Sequence, residues 1–199
     1  MDIEIRKLTP ELAGDYVRFF DETPHDDNID EHKCYCVCWC NDDYEGKDFS
    51  TREKRQAIAL QYVKDGNIQG YLAFHNEKIV GWCNANTKSD CLKCCSWRMF
   101  MGDVPTEEQN PDVKIKSVFC FTIAPDMKRK GIATQLLEHV LHEAKLEGYD
   151  FVEVYPNKEV NDESINFAGA VSLYEKCGFA VCCDTGDKYV MRKRCTDIR

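Results

Sequence analysis

Polar and apolar residues alternate in Asp2-Ile3-Glu4-Ile5-Arg6, the period-two pattern of a half-buried strand. Thr9-Pro10-Glu11 follows as a helix start, Thr9 capping and Pro10 in the first turn, and predicts a helix to about Asp21. Thr51-Arg52-Glu53-Lys54 opens a second helix, whose apolar face at Ala57, Ile58, Leu60 and Val63 ends at Asp65-Gly66-Asn67. Tyr71-Leu72-Ala73-Phe74 and the run from Ile79 through Trp82 to Ala85, joined by His75-Asn76-Glu77, predict an antiparallel hairpin. Residues 113–123, with Val118, Phe119, Cys120, Phe121 and Ile123 nearly all apolar, predict a central strand buried on both faces, whereas 88–110 show no usable period. Over 131–147 the apolar positions Ile132, Leu136, Leu137, Val140, Leu141 and Ala144 fall at helical spacing and stop at Gly148. Phe151-Val152-Glu153-Val154-Tyr155 returns as a strand, and strand, helix and strand in that order form a crossover between parallel strands. A helix over 170–176 ending at Gly178 and strands at 179–183 and 189–193 complete the chain.

The 199 residues, 43% of them hydrophobic, suffice for one domain over 1–199 with a sizeable core. No run approaches the ~18 consecutive apolar residues of a membrane helix, and Met1-Asp2-Ile3-Glu4 lacks a signal-peptide pattern, so a cytoplasmic protein without a membrane partner is expected. The formal charge of -9 argues against nucleic acid, whose backbone is bound by clustered Lys and Arg, and mildly favours a cationic substrate. The 13 cysteines cannot all pair within one molecule and are expected to be reduced.

One basic cluster carries chemistry. Lys128, Arg129 and Lys130 precede Gly131-Ile132-Ala133-Thr134 between the buried strand and the long helix. A helix N-terminus presents backbone N–H groups and a partial positive charge, so it binds phosphate oxygens, and Gly131 and Ala133 keep the approach clear of bulk. The same residues also fit a solvated basic turn, but ligands of open α/β sheets gather at the carboxyl ends of strands, where this turn lies.

Here the chain resembles the GNAT acyltransferase superfamily, whose phosphate turn reads Arg or Gln, two residues, Gly, one residue, then Gly or Ala. Lys128, Gly131 and Ala133 take those positions, with lysine in place of the planar guanidinium fork. Downstream, the run Ala170-Val171-Ser172-Leu173-Tyr174 through Gly178-Phe179 looks like the family's late helix and following strand. In its early Cys/Trp cluster and its Val80-Gly81-Trp82 strand it is similar to a bacterial branch of that superfamily.

The resemblance implies an α/β (α+β) fold, a mixed and mostly antiparallel sheet with a splayed parallel strand pair flanked by helices. It implies an N-acetyltransferase that moves an acetyl group from acetyl-CoA to a primary amine by direct attack in a ternary complex, with no metal expected. By resemblance Phe121, Thr122 and Ile123 offer backbone to the pantetheine arm, and residues 128–134 (Lys128, Arg129, Lys130, Gly131, Ile132, Ala133 and Thr134) hold the pyrophosphate. Tyr174 matches the family's general acid, and it also fits an aromatic packed beside Leu173 and Phe179. Phe167 occupies the place of a family asparagine; Asn166, one residue out of register, is either a cofactor contact or a polar loop residue. Glu153 is the candidate base, beside an acceptor cleft where partial burial would raise its pKa, or else a residue of the strand's solvent face. The acceptor is a small-molecule or peptide amine, expected to be recognised by residues 22–50 and 88–110, and the protein a monomer or homodimer.

Cys34, Cys36, Cys38 and Cys40 alternate, so an extended segment would turn all four to one side, where with Cys91, Cys94 and Cys95 they could hold zinc. Equally they are small apolar residues lining the acceptor side with Trp39 and Trp82. Two other function classes fit the sequence: a non-catalytic CoA-binding regulator and a cysteine-based metal or redox sensor.

Overall fold

The computed structural model of the chain describes residues 1–23, 29, 33–39, 46–159 and 166–198. Seven strands form one sheet: β1 (Glu4–Lys7), β2 (Gly70–His75), β3 (Lys78–Thr87), β4 (Ile115–Ile123), β5 (Phe151–Val154), β6 (Ala180–Asp184) and β7 (Tyr189–Arg194). Their order is β1-β2-β3-β4-β5-β7-β6, antiparallel everywhere except between β4 and β5. The α/β expectation, a mostly antiparallel sheet with one parallel pair, therefore holds. The β2–β3 hairpin turns on Asn76 and Glu77, both with positive φ, as a tight two-residue loop needs.

Alternation along β2 and β3 sends Leu72 and Trp82 to one face and Tyr71, Ala73 and Cys83 to the other. The first face is covered by α1 (Ala13–Glu22) and α2 (Arg52–Lys64), through Tyr16, Phe20, Ala59 and Tyr62. A 3-10 turn at Pro10–Leu12 leads into α1, so the helix itself begins later than the Thr9 signal suggests, whereas Thr51 does cap α2 by accepting from the Lys54 N–H at 3.3 Å. The other face is covered by α5 (Ile132–Leu146) and by α6 (Val171–Lys176), which contributes Tyr174.

Residues 88–110, which carry no period, contain two short helices, α3 (Lys88–Cys91) and α4 (Cys95–Phe100). They close a third cluster in which Trp97 meets Phe119 and Tyr155 edge-on and those two rings stack 5.6 Å apart. The cysteine run is not extended as its alternation suggests. Tyr35 and Cys36 have φ of 48° and 50°, Val37–Trp39 is a 3-10 turn, and Cys40 lies outside the described residues. Among the described residues no helix is long and apolar enough to cross a membrane, and no group of three or more His, Cys, Asp or Glu side chains is arranged to hold a metal ion.

Candidate active site

The site begins where two strands part. β4 pairs with β5 from Ile115 opposite Phe151 to Val118 opposite Val154, and there β5 ends while β4 continues to Ile123. On its other side β4 bulges at the same place. Ala85 faces Val118 and Asn84 faces Cys120, leaving Phe119 as the extra residue. Beyond the bulge the Ala124 N–H donates to the Val80 carbonyl of β3 and the Phe121 N–H donates away from β3. By alternation the Ile123 N–H turns to the same open side as that of Phe121.

Pro125 ends the extended run and starts a 3-10 turn, Pro125–Met127. Arg129 and Gly131 then adopt left-handed backbone, φ 61° and 79°, which turns the chain into α5. No side chain caps the start of α5, and a Cβ built on Gly131 would meet nothing within 4 Å, so the helix N-terminus faces open space. The cationic residues 128 and 129 stand beside it.

The open edge of β4 and the N-terminus of α5 share a single groove of about 750 Å³. Phe121, Thr122 and Ile123 line it from the strand; Lys128, Arg129, Gly131, Ile132, Ala133 and Thr134 line it from the turn and helix; Asn166 lines it from the segment before α6. Lys130 is the one expected cofactor residue that does not line it, its Nζ lying 3.6 Å from the Met127 sulfur. Thr23, Phe167, Gly169, Ser172 and Leu173 also line the groove. Sequence reasoning missed these residues, except that Phe167 stood out as the occupant of a position where resemblance suggests asparagine. The Asn166 Oδ1 is buried and has no hydrogen-bond partner among the described residues. The Phe121 N–H, expected to be free along the edge, instead donates to the Phe167 carbonyl at 2.8 Å.

Neither side chain expected to move protons reaches this groove. Tyr174 is fully buried, its hydroxyl donates to the Ala168 carbonyl, and burial pushes its pKa well above the usual phenol value. Gly169, with φ 80°, lies directly over it: a Cβ there would sit 2.9 Å from the Tyr174 oxygen. The hydroxyl is thus one layer behind the groove wall.

Glu153 corrects both sequence readings, because it is neither partly exposed nor on a solvent face but fully buried. Its Oε1 accepts from the Tyr155 hydroxyl at 2.7 Å and lies 2.9 Å from the Lys88 Nζ, and its Oε2 accepts from the Arg192 Nε. Arg192 and Lys88 in turn reach Glu108, at 2.5 and 3.4 Å. The carboxylate has cations on both oxygens and no open path to an acceptor.

A mostly antiparallel sheet that splays after one parallel pair, with a basic turn and a bare helix N-terminus at the splay, belongs to the acetyltransferase class of folds. The family model of the Acetyltransferase (GNAT) family matches residues 36–179, so the chain belongs to the GNAT acetyltransferase family. Solved structures agree with this fold. A GNAT-family acetyltransferase from Streptococcus pneumoniae is similar at a TM-score of 0.53 and 19% identity, covering 97% of this chain and 99% of that one. The PaiA N-acetyltransferase of Thermoplasma acidophilum, solved in complex with coenzyme A, is similar at 0.54 and 18%, covering 98% and 99%. An N-acetyltransferase from Staphylococcus aureus Mu50 is similar at 0.52 and 15%, covering 98% and 99%. No curated protein matches the chain by sequence.

Proposed function

We propose that the chain is a cytoplasmic N-acetyltransferase that binds acetyl-CoA in the groove between β4 and α5 and passes the acetyl group directly to a primary amine. The observation that carries this reading is the continuity of the groove from the open β4 edge to the N-terminus of α5. The coenzyme A complex of the PaiA relative supports the choice of donor. The residues fit the donor. Open space stands over Gly131 where phosphate oxygens would meet the N–H groups of Ile132, Ala133 and Thr134, and the unpartnered Asn166 Oδ1 suits an amide N–H. Lys128 and Arg129 supply charge, and Lys130 adds only a longer-range field.

The thioester supplies an activated acetyl carbonyl and a thiolate leaving group. The protein holds the reacting carbonyl against the backbone N–H of Phe121 or Ile123, which would stabilise the oxyanion as the neutral amine attacks; the C–S bond then breaks, and the proton the nitrogen sheds passes to the departing thiolate, directly or through water. Tyr174 fixes the Ala168 carbonyl and with it the groove wall; we assign it to positioning and give Glu153 no proton-transfer role. The acceptor is a small-molecule or peptide amine, approaching from the α1, α2 and α4 side, and the enzyme works as a monomer or homodimer. Calorimetry with acetyl-CoA, followed by an amine panel with detection of free thiol, tests the proposal. Binding with thiol release only when an amine is present is the expected outcome; binding with no turnover on any amine class would leave a CoA-binding regulator, and no binding would exclude the donor site.

A further inference from the structure

The place beside β4 that β5 leaves vacant is not empty. Its occupant is Phe167, whose carbonyl accepts the Phe121 N–H at 2.8 Å, as a neighbouring strand would. Backbone and ring of Phe167 serve different faces of the sheet. The residue borders the groove beside α5, yet its side chain packs against the cluster on the opposite face, which contains Trp82, Cys36 and Cys120. Phe167 thus stands in the gap where β4 and β5 part, its carbonyl bonded to β4 and its ring packed on the far face. The chain just beyond is fastened, because the Ala168 carbonyl takes the Tyr174 hydroxyl and Gly169 is left-handed against that oxygen.

We propose that Phe167 is a displaceable plug: an acyl donor that pairs with β4 must take the Phe121 N–H from the Phe167 carbonyl, and the departing ring opens a passage between the two faces of the sheet beside Cys120. This inference rests on the donor site proposed above. A closed plug also lowers the apparent donor affinity by the fraction of molecules that are open.

The test compares acetyl-CoA with adenosine 3′,5′-bisphosphate, which reaches the Gly131 turn but not Phe121. Phe167→Ala removes the ring that anchors the closed form, so calorimetry should give a Kd for acetyl-CoA about fivefold tighter than the parent chain, with the bisphosphate Kd unchanged. Phe167→Leu keeps the site apolar, protects against loss of the fold, and should shift the acetyl-CoA Kd in the same direction by about twofold. Unchanged or weaker acetyl-CoA binding in cooperatively melting variants would overturn the plug and make Phe167 a fixed wall of the groove. Equal tightening of both ligands would overturn it too, since the bisphosphate does not need the gap. Absence of acetyl-CoA binding in parent and variants alike would instead remove the donor site itself, and this proposal with it.

Discussion

Lys88 Nζ lies 2.9 Å from the Glu153 carboxylate, and both side chains are buried, on elements that the sequence separates widely. With Arg192 and Glu108 the pair forms a four-charge network under α3 and β7. Breaking a buried pair by neutralising one member leaves the other charges without compensation. Glu153→Gln should therefore cost about 3 kcal/mol, a fall in Tm of roughly 6–12 °C for a chain of this size. The pH–rate profile should keep its shape, because no proton of the reaction passes through this carboxylate. Loss of the acidic limb in the variant would return Glu153 to the mechanism.

Gly131 is the backbone pivot of the proposed phosphate site, with φ 79° and nothing in front of it. Gly131→Ala places an L side chain in left-handed backbone, a strain of about 1–2 kcal/mol, and puts a methyl group where an anion would approach. Acetyl-CoA binding measured by calorimetry should weaken about tenfold. Lys128→Ala, by contrast, should weaken it only a few-fold and flatten its dependence on ionic strength, since the charge acts through solvent. If Gly131→Ala binds as the parent does, the anion site lies elsewhere.

What the sequence made legible was what local pattern encodes. The apolar positions of α5, the Asn76-Glu77 hairpin and the basic turn ahead of Gly131 could be read directly, and strand-helix-strand order yielded the one parallel pair. The bulge at Phe119 was hidden because β4 is apolar on both faces, so a slip of one residue leaves no trace in the pattern. Helices α3 and α4 are too short to show a period. Alternating cysteines imitated a strand, but the left-handed backbone at Tyr35 and Cys36 that prevents one has no local signature in those residue types. The role of Glu153 depends on Lys88, Glu108 and Arg192, none of them near it in sequence, and so only the fold reveals it.

Tyr174 separates positioning from proton transfer. Its hydroxyl is spent on the Ala168 carbonyl, and burial holds it protonated far above neutral pH. Tyr174→Phe should raise the KM for acetyl-CoA about fivefold, the effect of losing one hydrogen bond of about 1 kcal/mol, with kcat within a factor of about two. A fall in kcat of about 10²-fold or more, with KM unchanged, would mark a general acid instead.

The thiols provide the last test, and it bears on the sensor reading. Burial pushes the Cys38 thiol up to about 12 and Cys94 up to about 11, and contact with the Cys120 sulfur at 3.0 Å raises Cys36 well above its ordinary value. Thiolates, not thiols, react with disulfides and peroxides, so these groups are held in their inert form. The same shift fixes a pH dependence. Above the unfolded value of about 8.5 the unfolded chain has lost thiol protons that the folded chain keeps, so stability is fully present below that pH and is lost as pH rises toward 11–12. Urea midpoints should be level from pH 7 to about 8.5 and then fall steadily. At pH 8 a chromogenic disulfide should label the exposed Cys182 before the buried thiols, and Cys36, Cys83, Cys91 and Cys120 only after unfolding. Rapid labelling of Cys36 in the folded chain, with a flat alkaline stability curve, would show that the buried thiols are not held inert and would favour a thiol-based sensor over an acetyltransferase with a cysteine-rich core.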